Sequence, residues 1–507
     1  MKTLPQVLAV LTTAVATALA SHAVHADVLP ASQTQSNWFT AGADAVAAKV
    51  AQARNTGTAK NIIFFVGDGM GVSTLTAARI YQGQKANKGG EENRLSFENF
   101  PYSALSKTYS VNQQTPDSAP TMTAMITGVK TEDGMLSVSA ETIRGNCLSS
   151  KGNELKTTLE LAEDLGKSTG IISTARITHA TPAATYAHSP ERNWEADSNL
   201  SAEAKANGCH DIAYQLVMDA PGNGLEVALG GGRSYFLPNT VTDGEGAKGR
   251  RADGNDLTSA WTEKFSNSAY VWNKTAFDAV DSSSTDHLLG LFEASHMQYE
   301  ADRADDQGGE PSLAEMTSKA IDVLKKNDKG YFLMVEAGRI DHAHHAGNAA
   351  RALEDTVALS DAVQAAMDKV DLNDTLIIVS ADHSHTFTIA GYPARGNPIL
   401  GLVHEPEDNQ ISATPTLADD GMPYTTLGYT NGPGAKNGPR EDLSAVNTQD
   451  VEFLQQAQVP LSSETHAAED VAIYAAGPGA WLFQGNVEQN VIFHVMNQAG
   501  ALGGSKY

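Results

Sequence analysis

YFLMVEAGRIDHAHHAG, Tyr331 to Gly347, sets an unbroken apolar run against an abrupt change to acidic and imidazole side chains. The run is continuous rather than alternating, the pattern of a strand covered on both faces. After Gly338 the spacing suits a helix, which puts Asp341 and His345 one turn apart on one face with Glu336 at the strand end behind them. This describes one unit of an α/β sheet with a divalent metal site at the carboxyl end of a strand. Clustered His and Asp are also common on solvated surfaces, so the stretch does not decide alone. TLIIVSADHSH, Thr375 to His385, repeats the arrangement: an apolar, β-branched run followed at once by Asp382, His383 and His385. Five of the fifteen histidines fall in these two stretches.

Working outward, Asn61 to Val66, Thr169 to Thr174, Leu225 to Leu229 and Val471 to Ala476 are further short apolar runs. Leu155 to Leu165, Leu313 to Lys325 and Ala349 to Val370 are helix-like stretches between such runs. Alternating strands and helices predict an α/β fold: a large, mostly parallel central sheet flanked by helices on both faces. The region from about Thr386 to Glu464 differs, being rich in Gly, Pro, Asn and Asp, and predicts an irregular insertion folded apart from the sheet. Ser36 to Ala53, Ala-rich with helical spacing, predicts a helix outside the core. Residues 1–26 carry Lys2, an apolar stretch from Val7 to Ala20 and small residues up to Ala26, and predict a secretory signal peptide.

At 507 residues and 41% hydrophobic composition the chain can bury a substantial core. No later segment predicts a membrane span. Sixty acidic against 35 basic residues give a formal charge of -25, and no basic run exists to neutralise nucleic-acid phosphates. The acidity is spread along the chain and predicts a strongly hydrated surface, of the kind that tolerates salt. Two cysteines in an exported chain fit either one disulfide or two buried thiols, and neither has metal-ligand spacing.

Ligands of doubly wound sheets gather beyond the carboxyl ends of the strands. Here one run ends in GDGMG around Asp68, another leads to Arg176, His179 and Thr181, and two more lead to the stretches quoted above. GDGMG lacks the third glycine of a dinucleotide loop, and its glycines let Asp68 approach an ion closely. Ser118, in Thr115-Pro116-Asp117-Ser118-Ala119-Pro120-Thr121, opens a predicted helix. It fits an N-cap, and it also fits a group that meets a phosphate at the positive end of a helix. No Gly-x-Ser-x-Gly elbow surrounds it, so activation of this serine falls to a metal.

In NIIFFVGDGMG, TPDSAPTMTAMITG, RITHATPAATYAHSPERNWE, CHDIAYQL, LGGGRSYF, VEAGRIDHAHH, SADHSH and ETHAAEDV the chain resembles the alkaline phosphatases, in order and spacing, from about Asn61 to Pro478. The resemblance implies an exported phosphomonoesterase in which Ser118 becomes phosphoserine. It implies one zinc held by Asp68, Asp382 and His383 and a second held by Asp341, His345 and His466. It also implies magnesium on Asp68, Thr181 and Glu336, with Arg192 gripping two phosphate oxygens. His179 and His342 fall at positions that vary within the family and match its animal-like branch, with His179 near the magnesium ligands and His342 near phosphate. Cys147 and Cys209 fall where some members have a disulfide. Glu293 and Glu310 resemble part of a calcium site.

The resemblance further implies a homodimer and a catalytic domain of residues 27–383 and 466–507, with 384–465 as a crown-like insertion. The rivals are a phosphodiesterase or sulfatase of the same superfamily and a non-catalytic phosphate- or metal-binding protein. Ser118-Ala119-Pro120 continues with Thr121-Met122, so the arginine of a sulfatase motif is missing.

Overall fold

Asn61 to Gly67 alternates Ile63 and Phe65 with Ile62, Phe64 and Val66, and every one of these side chains is buried. The two sets serve opposite faces of one sheet. Ile62, Phe64 and Val66 join Phe332, Met334, Leu376 and Ile378 beneath helices Ser118–Thr127 and Val491–Gly500. Ile63 and Phe65 join Leu333, Val335, Ile377 and Val379 beneath Val72–Lys85, Leu313–Leu324 and Ala349–Met367. Each large side chain taken out of water on either face contributes about 2 kcal/mol. Continuous apolar strands are the consequence of this two-sided burial.

The computed structural model describes residues 29–503, and the signal peptide expected over residues 1–26 lies outside the described residues. The sheet contains ten strands: β1 (Asn61–Gly67), β2 (Tyr102–Lys107), β3 (Ser168–Arg176), β4 (Val227–Gly231), β5 (Ser268–Val271), β6 (His287–Leu291), β7 (Tyr331–Ala337), β8 (Thr375–Ala381), β9 (Val471–Ala476) and β10 (Asn486–Glu488). Their order is β10-β2-β9-β8-β1-β7-β3-β4-β6-β5. β9 runs antiparallel to both its neighbours, and every other pairing is parallel. The six strands expected from the sequence are all present. The others are short, as in β5, β6 and β10, or half exposed, as in β2.

Among the described residues, those up to Arg54 form one compact unit and those from Asn55 onward another. In the first, helix Asn37–Ala51 buries none of its residues. Within the second, residues 384–465 hold a three-stranded sheet of Phe387–Ile389, Leu427–Gly432 and Ala457–Pro460 and a small hairpin, Pro406–Glu407 with Gln410–Ile411. Cys147 and Cys209 form a disulfide closing 62 residues, packed against Trp194 and Ala204. A loop of that size contributes about 2–4 kcal/mol.

One feature of the sheet predicts a pH response. Glu163, in helix Thr158–Asp164, is buried against the amino-terminal end of β3, with one oxygen accepting from Thr169 Oγ1 at 2.5 Å and the other without a partner. Burial, reinforced by the nearby Glu226, pushes its carboxyl up to about 8. A raised carboxyl holds its proton more tightly in the folded chain. Its contribution is therefore complete below the ordinary value of 4.5 and is lost as pH rises through about 8. Glu163→Gln is expected to remove this loss: the melting temperature of the variant should gain on that of the native protein as pH rises across this window.

Candidate metal centre

The carboxyl ends of β1, β7 and β8 lie side by side, so Asp68, Glu336 and Asp382, one residue past or within each strand, converge. Gly69 makes this approach possible. Its φ of 67° suits a residue without Cβ, and a Cβ there would strike the His385 ring. The Gly69 and His383 amides both donate to Asp382 Oδ1 at 2.9 Å. The antiparallel direction of β9 brings the residues just before it to the same edge. There His466–Ala467 pairs with Ser384–His385 as a two-residue ribbon.

Helix Arg339–His345 presents Asp341 and His345 on one face, as expected. His345 Nε2 lies 3.4 Å from Asp341 Oδ1 and 3.1 Å from His466 Nε2, and His466 Nε2 lies 3.3 Å from the same carboxylate oxygen. The protons on these rings are fixed from behind. His345 Nδ1 donates to the Glu464 carbonyl at 2.6 Å, and His466 Nδ1 donates to the Pro116 carbonyl at 2.7 Å. Both Nε2 atoms therefore carry lone pairs, and with Asp341 they form a set of three acceptors with no donor among them. Such a set suits a cation.

A second group stands beside it. Asp68, Asp341 and His383 offer ligand atoms within 4.8 Å of one another, and His383 Nε2 lies 3.2 Å from Asp382 Oδ2. Ser118 Oγ is 3.4 Å from Asp68 Oδ1 and 3.2 Å from His383 Nε2. Asp117, and not Ser118, caps the helix by accepting from the Ala119 amide. The serine hydroxyl is thereby free of that duty.

Asp68 Oδ2, Thr181 Oγ1, Glu336 Oε1 and Asp382 Oδ2 are buried oxygens with no hydrogen-bond partner. Leaving four such atoms unsatisfied costs about 1–3 kcal/mol each, so the donor set fits hard divalent cations. Electrostatics agree. Burial, then the charges of Asp382, Asp341 and Glu336, holds Asp68 well above the usual carboxylate range. Burial raises Asp382 as well, and it lifts Glu336 to about 7. Burial would also raise Asp341, but His345, His385 and His466 outweigh it and hold that carboxyl well below its ordinary value.

Arg192 Nη1 donates to Asp117 Oδ1 at 2.9 Å and Nη2 donates to His179 Nε2 at 3.1 Å. The guanidinium thus stands one residue from Ser118, and His179 stands behind it. His342 Nδ1 accepts from Arg339 Nη1 at 3.1 Å. Glu293 groups with Glu245 and Asp306, half-buried, and Glu310 lies close enough to be raised to about 8, chiefly by its own burial.

Three residues near the centre had no assigned role in the sequence reading. His385 is gripped by Asp341 Oδ1 at 2.8 Å and Glu464 Oε2 at 2.6 Å. Burial lowers its pKa, but the two carboxylates win and lift it to about 9. A protonated ring with both nitrogens engaged cannot also bind a metal; it positions Asp341. Glu464 holds that ring, and its position before ETHAAEDV's histidine was the available signal. His344 is buried between Thr74 Oγ1 at 3.0 Å and Tyr429 Oη at 2.8 Å, tying the metal helix to the crown-like segment.

The profile of the alkaline phosphatase family matches residues 59–502. The tissue-nonspecific alkaline phosphatase of Rattus norvegicus is 48% identical over 463 residues, covering 89% of this chain and 86% of its own. The corresponding Homo sapiens isozyme is 46% identical over the same shares, and an alkaline phosphatase of Gadus morhua is 44% identical over 89% and 94%. Among solved structures, the Thermus thermophilus alkaline phosphatase aligns with a TM-score of 0.63 at 27% identity, covering 94% of this chain and 96% of its own. The enzyme of the Antarctic bacterium TAB5, at 22% identity and a TM-score of 0.60, shares the fold. The chain belongs to the alkaline phosphatase family, a family of metal-dependent phosphomonoesterases.

Proposed function

We propose that this phosphatase acts through a phosphoserine on Ser118, within a centre of two zinc ions and one magnesium. The acceptor-only set of Asp341 Oδ1, His345 Nε2 and His466 Nε2 carries this reading. Those three residues would hold one zinc and Asp68, Asp382 and His383 the other, while Asp68, Thr181 and Glu336 supply the oxygens that suit magnesium. Bound there, the ions supply positive charge that lowers the pKa of a serine or water hydroxyl and neutralises charge developing on phosphoryl oxygens.

Ser118 Oγ forms a bond to phosphorus as the ester P–O bond breaks, and the alcohol leaves with a proton from solvent. The serine's own proton passes to water. Arg192, held by Asp117, forks onto two phosphoryl oxygens and keeps the phosphorus in line with Ser118. Water then cleaves the phosphoserine, releasing phosphate and restoring the hydroxyl. His179 orients Arg192, and with its Nε2 taken by that guanidinium it stands next to the magnesium ligands. His342 faces the phosphate side of the metal helix.

Arg192→Lys tests the fork. A lysine supplies charge but not two parallel donors, and kcat/KM for p-nitrophenyl phosphate is expected to fall by about 10- to 100-fold with weaker inhibition by phosphate. Rates on a monoester, a diester and a sulfate ester discriminate the phosphomonoesterase from its superfamily rivals, since two free phosphoryl oxygens are what the fork requires. Preference for the diester or sulfate would overturn the reading.

The same reading extends to the rest of the molecule. Glu245, Glu293 and Asp306, with Glu310 beside them, would take calcium, as oxygen donors suit that ion. Residues 384–465 act as the crown-like insertion on the catalytic domain, and the enzyme works as an exported homodimer, in the periplasm or outside the cell. The disulfide fits an exported protein, and among the described residues no helix is long and apolar enough to cross a membrane.

A further inference from the structure

His179, whose Nε2 holds Arg192, clusters with His342 and with His296, a histidine that the phosphoryl chemistry does not use. Their ring centroids lie 4.1 Å apart for His296 and His342, 5.2 Å for His179 and His296, and 5.6 Å for His179 and His342. One nitrogen from each falls within 4.8 Å of the other two, and all three residues are half-buried. Three imidazoles at this spacing resemble a metal site. Their hydrogen bonds say otherwise.

Each ring already accepts from an arginine. His179 Nε2 accepts from Arg192 Nη2 at 3.1 Å, His342 Nδ1 from Arg339 Nη1 at 3.1 Å, and His296 Nδ1 from the Arg176 amide at 3.2 Å. A neutral imidazole that accepts at one nitrogen carries its proton on the other. The remaining atoms of two rings, His179 Nδ1 and His342 Nε2, are therefore N–H donors, the opposite of the lone pairs around Asp341. His179 Nδ1 is buried without a partner, and so is Arg339 Nε. His296 meets a donor of Arg176 at each nitrogen, the backbone amide at Nδ1 and Nη1 at Nε2, and since a neutral ring accepts at only one of them its own N–H is left facing a donor. Protonation would only add donors. The cluster holds a surplus of N–H groups and needs an acceptor.

We propose that His179, His296 and His342, with Arg339, form a second anion subsite beside the phosphoryl clamp. Its ligand is a small anion, either free in solution, such as a halide, or a second anionic group carried by the substrate near its phosphoryl group. Both offer lone pairs to the same donors. The donors stand on their own hydrogen bonds; only the link to substrate rests on the reading of Arg192, and turnover of p-nitrophenyl phosphate checks that reading separately.

The test uses the zinc- and magnesium-loaded enzyme and its His296→Leu variant, which removes one donor without touching the proposed reaction centre. Crystals grown in bromide are expected to show an anomalous peak among the three imidazoles, absent from the variant. In parallel, kcat/KM is compared for p-nitrophenyl phosphate and for phosphoglycolate, whose carboxylate lies close to the ester oxygen. A fall of about tenfold or more for phosphoglycolate in His296→Leu, the worth of a charge-assisted hydrogen bond, with p-nitrophenyl phosphate within about twofold, assigns the subsite to substrate. Bromide without that discrimination assigns it to a free anion. Neither bromide nor discrimination leaves only water among the rings and overturns the proposal.

Discussion

Ser118→Ala is expected to lower kcat for p-nitrophenyl phosphate by at least about a thousandfold, because it removes the hydroxyl proposed to form the covalent intermediate. The fold should survive the change. The helix beginning at Ser118 is capped by Asp117, whose carboxylate also holds the Gly134 amide and Arg192. Ser118 Oγ itself makes only long contacts, 3.2 and 3.4 Å, to residues of the proposed metal centre. The melting temperature of the metal-loaded variant should therefore match that of the native protein. Steady-state kinetics beside a thermal melt separates lost chemistry from lost folding, and retained turnover would show that Ser118 is not the nucleophile.

Removing the metals is expected to have an effect as large on activity and a larger one on stability. Without cations the buried oxygens of Asp68, Thr181, Glu336 and Asp382 lose their partners, and the lone pairs of His345, His466 and Asp341 face one another. A chelator should abolish turnover and lower the melting temperature by about 10 °C or more, since ligands that bind only the folded chain stabilise it by mass action. Zinc with magnesium should restore both. Magnesium alone should not, because imidazole nitrogens suit zinc and not a hard, oxygen-seeking cation. Metal analysis of the restored protein should give two zinc ions and one magnesium per chain, as the ligand sets imply. A single tightly bound metal would contradict the two-zinc reading.

Much of this centre was legible because parallel strands announce themselves. Continuous runs such as NIIFFV and TLIIVS need two buried faces, and the polar residues that follow each run fall at one edge of the sheet. Asp341 and His345 could be paired from helical spacing alone. His466 could not. It reaches the site only because β9 reverses direction and because residues 466–467 pair with 384–385, and neither fact shows in local pattern. β2, with alternate residues exposed, and the short β5 and β10 carry too little apolar signal to be read as strands, whereas β6 is a buried apolar run as long as β4 and was legible.

His385 shows a different limit. Its sequence context, three residues after Asp382, gives it the look of a ligand. Only the two carboxylates that grip it, Asp341 and Glu464, make it a cation that positions its neighbour. His296 lies within the stretch around Glu293 that suggests calcium and carries no signal of its own. Whether a histidine offers a lone pair or a proton depends on what its second nitrogen touches, and that is a property of the fold.

The central claim is that phosphate passes through Ser118. The most direct measurement is mass spectrometry of the metal-loaded enzyme, quenched in acid after incubation with inorganic phosphate and digested to release the peptide containing Thr115 to Thr121. One phosphate on Ser118, absent from the chelator-treated enzyme, is the predicted result. An active enzyme whose phosphate is found on another residue, or on none, would contradict it.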